Sequence, residues 1–449
     1  MLWLAMPVMA EESLTLLVGY TDWWLASHYL EGTEYKAAMG LMSYVLWLLP
    51  SLFAAIAIGA TALIARSVGA GDTHTARCIT NQAFTVGGTL ALLAMLGTLF
   101  FADDFVRWMQ LEQRAAELAL RYVLIVIPGI PFIMIEQVAA ASLRGAGDTV
   151  SGFVAKSIVN VVNMTLSPML MLGLGPFPRL GWEGLAIGTV SGHVIGGVLL
   201  CGLLLVGRSG LRLRLVQMKP DLALIRRILR IGLPGGADVL SILSCHLVYV
   251  SIINRMGTFA AAAHGLGVQI EALAYLPASA FLVAATTMTG QFLGAKQPQR
   301  ATRSVYTTVM VTTIFMTSVA LVFYFGGGML TTFFTGDAND PTGIVTTRLL
   351  RIVAFSTPPL GILMVLTGAL RGAGDTRMPL MITFVGLIGI RIPLACLFGW
   401  GVFSILGLTV EGFAWGLAGA WWAMLIDVVV RSALISWRFL QGGWKEIVV

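Results

Sequence analysis

The residues able to do chemistry in this chain are acids placed where acids are costly. Glu11, Glu12, Asp22, Glu136, Asp238, Glu271 and Asp427 each lie in or beside an apolar run long enough to cross a bilayer. A carboxylate near the bilayer centre costs at least about 2.5 to 3.5 kcal/mol, so each needs a partner or a task. A lone carboxylate in such a place can carry a proton or hold a cation. Covalent or hydrolytic chemistry needs more than that, and the chain has no HExxH, no GxSxG and no aspartate-rich metal motif. An intramembrane enzyme is therefore not expected. Asp427 and Arg431 are four residues apart and read as an ion pair on one helix face. His246 and His264 are candidate proton partners, and Arg391, in IGIRIPLA, is an intramembrane arginine whose partner the sequence does not name.

The elements that position these groups are legible from composition. The chain is 57% hydrophobic and 11% charged, against about 25% charged for soluble domains. Twelve apolar runs cover about 2–28, 38–64, 79–101, 118–141, 151–173, 184–207, 229–253, 262–288, 304–325, 346–369, 378–401 and 413–438. They lack the period-two alternation of a barrel, so the chain is expected to be an all-α integral membrane protein of twelve transmembrane helices. The opening MLWLAMPVMAEES lacks a basic leader region and its apolar run continues past Glu12, against a cleaved signal. Cys78, Cys201, Cys245 and Cys396 have no metal-like spacing and read as reduced, buried thiols.

The basic stretch from Gly207 to Arg230 sets orientation: placed in the cytoplasm, it puts both termini there too. The net charge of +6 is accounted for by loops facing anionic lipid, and no nucleic acid is needed.

The seven residues LRGAGDT occur at 143–149 and again at 370–376, an offset of 227. Pro131 and Pro358 precede them at equal distance, Pro7 and Glu11 are echoed by Pro234 and Asp238, and AAMGLMSYVLWLLP is echoed by AAHGLGVQIEALAYLP. Two six-helix bundles follow, 1–207 and 229–449, joined by a basic linker over 208–228. Six helices separate the copies, so both cross the membrane in the same direction, an arrangement suited to lobes that rock around a central site. In each LRGAGDT, the arginine (Arg144, Arg371) is expected to complement a helix end and anchor to lipid phosphate. The glycines (Gly145 and Gly147, Gly372 and Gly374) are expected to allow a tight turn, and the aspartate (Asp148, Asp375) to cap the next helix.

Taken together, the twelve spans in two halves, the paired LRGAGDT, Pro7 followed by Asp22 in span one, and Asn163 within NVVNMTLSPMLMLGLGPFPRLGWEGLAIGT resemble the multidrug and toxic compound extrusion (MATE) transporters. The resemblance runs over essentially the whole chain and is closer to the DinF-like, proton-coupled bacterial branch. It implies a secondary antiporter that exports amphipathic, often cationic compounds in exchange for protons or sodium. Asp22 matches the family's acidic position in span one, and Asn163 is its partner by resemblance, with Asn160 one turn before. Many relatives carry a second aspartate where this chain has Ser167, and Thr189 in span six can add only a neutral oxygen. A sodium site at Asp22 and Asn163 is therefore disfavoured against protons. The sodium branch's acids in the second half are absent: Ile242 occupies one position, and PPLGILMVLTGAL contains no acid.

Glu11, Glu136, Asp238, Glu271 and His246 remain as substrate or relay candidates. No cofactor beyond the coupling ion is expected, and the protein is expected to be a monomer in the cell's inner membrane. Rocking alternating access is the expected mechanism. A flippase for a lipid-linked saccharide is the second reading, disfavoured by the intramembrane acids.

Overall fold

Because a spanning backbone must pair its own amides, each apolar run closes into a helix. The computed structural model describes residues 2–30, 32–109, 112–405 and 408–447. It contains twelve helices of spanning length: α1 Leu2–Tyr29, α2 Thr33–Gly69, α3 Thr73–Arg107, α4 Gln113–Gly145, α5 Val150–Leu172, α6 Trp182–Val206, α7 Leu222–Asn254, α8 Thr258–Gly294, α9 Pro298–Thr335, α10 Pro341–Ala373, α11 Arg377–Gly399 and α12 Gly416–Leu440. The expected count holds and the ends differ. Several helices run past their apolar stretch because capping residues start them early. Asp72 accepts from the Thr75 amide at 2.9 Å before α3, and Asp340 accepts from the Gly343 amide at 2.7 Å before α10. A short antiparallel ribbon pairs Val402–Ile405 with Leu408–Glu411 between α11 and α12.

Irregularities sit where the sequence demands them. Pro50 precedes a break in α2 at Phe53, and Pro128 stands in a 3₁₀ turn, Ile127–Gly129, inside α4. Helix α11 contains a π-helical stretch from Val385 to Arg391. Such widened turns re-aim side chains and recur at functional sites.

The chain divides into two compact units, Leu2–Gly236 and Ala237–Val449. The first unit therefore extends beyond the 1–207 read from the sequence. The expected linker 208–228 turns helical at Leu222, and the division falls inside α7. The cause is glycine: a Cβ at Gly235 would lie 2.8 Å from Ile58, and one at Gly236 2.7 Å from Ala55, so the start of α7 lies flush on α2. The rest of the linker is held to α3. Asn81 donates to the Arg212 carbonyl and accepts from the Arg214 amide, Gln82 donates to the Gln217 and Lys219 carbonyls, and Thr85 donates to the Met218 carbonyl.

In the second unit, the core gathers Tyr249, Met316, Phe323, Leu350 and Trp421 from α7, α9, α10 and α12.

Candidate functional site

Helix α6 carries glycine at every fourth position, Gly184, Gly188, Gly192 and Gly196, which places them on one face. That face meets α5 at backbone distance. A Cβ at Gly184 would stand 2.7 Å from the Leu170 carbonyl carbon, one at Gly188 2.7 Å from the Ser167 backbone, and one at Gly192 2.9 Å from the Val159 oxygen. Small residues at fixed spacing let membrane helices approach this closely. The consequence is local: Thr189 of α6 comes within hydrogen-bonding reach of Asn163 of α5.

Asp22 of α1 completes the site. Its Oδ1 accepts from Asn163 Nδ2 at 3.0 Å, and its Oδ2 accepts from the Thr189 hydroxyl and, at 3.4 Å, from Tyr122 of α4. Asn163 Nδ2 also lies 3.1 Å from both Ser167 Oγ and Thr189 Oγ1. All five side chains are buried. Asn163 Oδ1 is buried with no hydrogen-bond partner among the described residues, so the site holds one unused acceptor. Of the ion-coupling residues read from the sequence, Asp22, Asn163, Ser167 and Thr189 come together. Asn160 does not join them; its amide donates to the Lys156 carbonyl at 2.9 Å, one turn away. Tyr122 was not read from the sequence. It lies just inside an apolar run, and nothing in its spacing ties it to Asp22.

The other acids are engaged differently. Glu11 accepts from Arg144 at 2.9 Å, and Asp238 accepts from Arg371 at 2.7 Å. Because 238 − 11 and 371 − 144 both equal the repeat offset of 227, this is one ion pair present in both units. Each pair ties the first helix of a repeat to the arginine of its own LRGAGDT. The relay candidates Glu11 and Asp238 are thus each paired with an arginine, and the motif arginines Arg144 and Arg371 each with a carboxylate.

The motif aspartates cap as expected, Asp148 on the Ser151 amide and Asp375 on the Met378 amide. Each also holds a distant arginine, Asp148 with Arg208 at 2.7 Å and Asp375 with Arg438 at 2.8 Å. Burial pushes the Asp148 carboxyl up, but its bonds to the Ser151 amide, Arg208, the Ser151 hydroxyl and Ser209 outweigh this and hold it below the usual carboxylate range. The two glycines do separate jobs. Gly147 and Gly374 turn the chain at φ 94° and 90°, whereas Gly145 and Gly372 lie against the backbones of Thr61 and Thr286.

Glu136 of α4 belongs to a further buried cluster, with His193 Nδ1 of α6 at 3.0 Å and Lys156 Nζ of α5 at 3.7 Å. Neither base was singled out from the sequence. A count of intramembrane bases beside the acids would have found both.

In the second unit, Asp427 accepts from Arg431 as the spacing suggested and also from Arg391, whose Nη2 lies 2.7 Å from Oδ2. The π-helical stretch brings Arg391 inward, and a Cβ at Gly386 would collide with Asp427 and Arg431. The repeat offset carries Asp22 to Tyr249, and Arg391 stands 5.8 Å from the Tyr249 ring. The second unit thus has a tyrosine at the position of Asp22, with an arginine beside it. His264 is wedged edge-on between Tyr249 and Trp421, each 5.7 Å away. Glu271 and His246 are partly buried, and among the described residues neither makes a hydrogen bond or ion pair with these clusters.

Comparison with known proteins accords with this arrangement. The MatE family model matches residues 7–169 and again 234–397, one match per repeat. The chain is 28% identical over 446 residues to a Thermotoga maritima protein named "Probable multidrug resistance protein NorM", covering 99% of this chain and 92% of that one. It is 25% identical to a Bacillus subtilis protein named "Probable multidrug resistance protein YoeA", covering 92% and 87%. Its fold superposes with a TM-score of 0.89 on an outward-facing multidrug resistance MATE family transporter of the MOP superfamily, at 22% identity, covering 100% of this chain and 96% of that chain. The chain belongs to the MatE family, and it is a multi-pass membrane transporter, not an enzyme.

Proposed function

We propose that the protein is a secondary antiporter that exports amphipathic, cationic organic compounds and takes protons in exchange, with Asp22 as the coupling group. One observation carries this reading. Among the described residues, the buried acids Glu136, Asp238, Asp375 and Asp427 all touch a cation, whereas Asp22 is met only by the neutral donors Asn163, Thr189 and Tyr122. A carboxylate locked in an ion pair has its charge already neutralised. One held by neutral groups has it neutralised by whatever cation arrives, and the charge change can then be felt by α1. Asp22 loaded from outside releases inward, and the two units rock between these states. Both termini face the cytoplasm of the inner membrane in this reading, and the protein acts as a monomer.

Sodium is the second reading, favoured by the unused Asn163 Oδ1 beside the Ser167, Thr189 and Tyr122 hydroxyls. A hard cation takes about six oxygens and prefers several carboxylates, and this site offers one, which supports the proton. The test is efflux of a fluorescent cationic dye from proteoliposomes under an imposed proton gradient and, separately, a sodium gradient. Proton-driven movement is the expected result. Movement under sodium alone would replace the ion, and movement under neither would turn attention to a lipid-linked saccharide.

A further inference from the structure

Outside the ion site, the second unit has a groove of about 450 Å³ at the start of α9, on the side of its LRGAGDT loop. One wall is a stripe of α9, Gln299, Thr302, Arg303, Tyr306 and Met310, and Lys445 faces it. The spacing of three and four keeps these α9 residues on one face. Their character changes along the helix axis: polar and basic in the first two turns, aromatic at Tyr306, apolar at Met310. From Gln299 to Met310 the rise is about 16 Å, at about 1.5 Å per residue. The polar part, Gln299 to Arg303, spans about 6 Å, close to the depth of one head-group layer, and the remainder reaches acyl-chain depth.

Lys445 is held in place by an aromatic stack. It stands 5.6 Å from the ring of Trp444, which is fully buried, stacks on Phe439 at 4.9 Å and donates its Nε1 hydrogen to the Phe439 carbonyl at 2.9 Å. Phe439 in turn meets Tyr306 edge-on at 5.9 Å. The turn Gly443–Glu446 is thus fastened, through Phe439, to Tyr306 of the groove's own wall. Neighbouring cations are committed elsewhere, Arg438 to Asp375 and Arg300 to Gln297. Among the described residues, Arg303 and Lys445 have no acidic partner. Two unpaired cations at head-group depth, above an exposed tyrosine and methionine, have the charge and polarity profile of one lipid molecule.

We propose that this groove holds an anionic phospholipid, its phosphate between Arg303 and Lys445, its glycerol portion at Gln299 and Thr302, and one acyl chain along Tyr306 and Met310. Each cation near an anionic lipid surface contributes about 1 kcal/mol, a factor of about five, so neutralising both weakens binding about 25-fold.

The test is lipid retention by native mass spectrometry on the full-length protein in neutral detergent, titrated with dioleoyl phosphatidylglycerol or dioleoyl phosphatidylcholine. Wild type is expected to retain one phosphatidylglycerol in preference to phosphatidylcholine. R303Q/K445Q should lose that preference, R303K/K445R should keep it, and M310N should weaken it without changing the head-group order. Equal retention of both lipids, or undiminished preference in a folded R303Q/K445Q protein, overturns the proposal. So does equal competition by inorganic phosphate, which would make the groove a plain anion site. If R303Q/K445Q does not fold, loss of preference in each of R303Q and K445Q alone is the required result, and its retention in both overturns the assignment.

Discussion

Replacing Arg371 with glutamine isolates the worth of the paired motif. The substitution leaves Asp238, whose side chain is 2% exposed, without the guanidinium now 2.7 Å away. Among the described residues, the remaining oxygen of Asp238 and the Nε of Arg371 have no hydrogen-bond partner, so the two groups depend on each other. Removing one partner from such a pair leaves a charge buried and unpaired, a loss of about 3 to 5 kcal/mol. The double variant D238N/R371Q buries no charge and should recover a large part of that loss, with a coupling of at least about 2 kcal/mol between the sites. The matching pair Glu11–Arg144 is more open, 12% and 15% exposed, so R144Q should cost less. The assay is thermal unfolding of purified protein followed by tryptophan fluorescence, compared as a rank order because a twelve-helix chain need not unfold in one step. The expected order of stability is wild type, D238N/R371Q, R371Q. An R371Q protein as stable as wild type, or a double variant worse than both single ones, refutes the reasoning. At a temperature where R371Q stays folded, its ion coupling should be intact.

Gly188→Ala should abolish transport at near-normal expression, because the added methyl drives α6 off α5 and parts Thr189 from Asn163; dye efflux normalised to protein in the membrane reads it. Gly147→Ala and Gly374→Ala should each destabilise by about 1 to 2 kcal/mol through the left-handed turn, seen in the same thermal assay. Asp148 sits below the usual carboxylate range when folded. Its contribution is therefore complete above its unfolded pKa of about 3.9 and lost as pH falls through the lower folded value. The stability gap between wild type and Asp148→Asn should stay constant from about pH 5 to 8 and close below about pH 4, as melting temperatures across pH will show.

The helices and the repeat were open to inspection in the sequence because lipid imposes one rule on every span: apolar, and about twenty residues long. The offset of 227 then paired Glu11 with Asp238 and Arg144 with Arg371 on paper. That these two sets bond to each other was not visible, since sequence separation of 133 residues carries no distance. Asp22, Asn163 and Thr189 were found through likeness to a family, while the reason they meet, a glycine at every fourth position of α6, was present in the letters and is a packing signal rather than a chemical one. Lys156 and His193 stayed hidden because nothing in their spacing ties either to Glu136, which they meet only in three dimensions. Arg391 found its partner only in three dimensions, where a widened turn in α11 and the missing side chain of Gly386 let it reach Asp427.

The most direct test of the central claim is proton movement coupled to dye in proteoliposomes, wild type against Asp22→Asn, with a pH-sensitive fluorophore inside. Asparagine keeps the shape of Asp22 and one of its two acceptor oxygens but cannot change charge, because its amide nitrogen only donates. The account requires that wild type exchange dye for protons and that Asp22→Asn, equally folded and inserted, move neither. Full coupled exchange by Asp22→Asn would contradict it and return the coupling role to one of the other buried carboxylates.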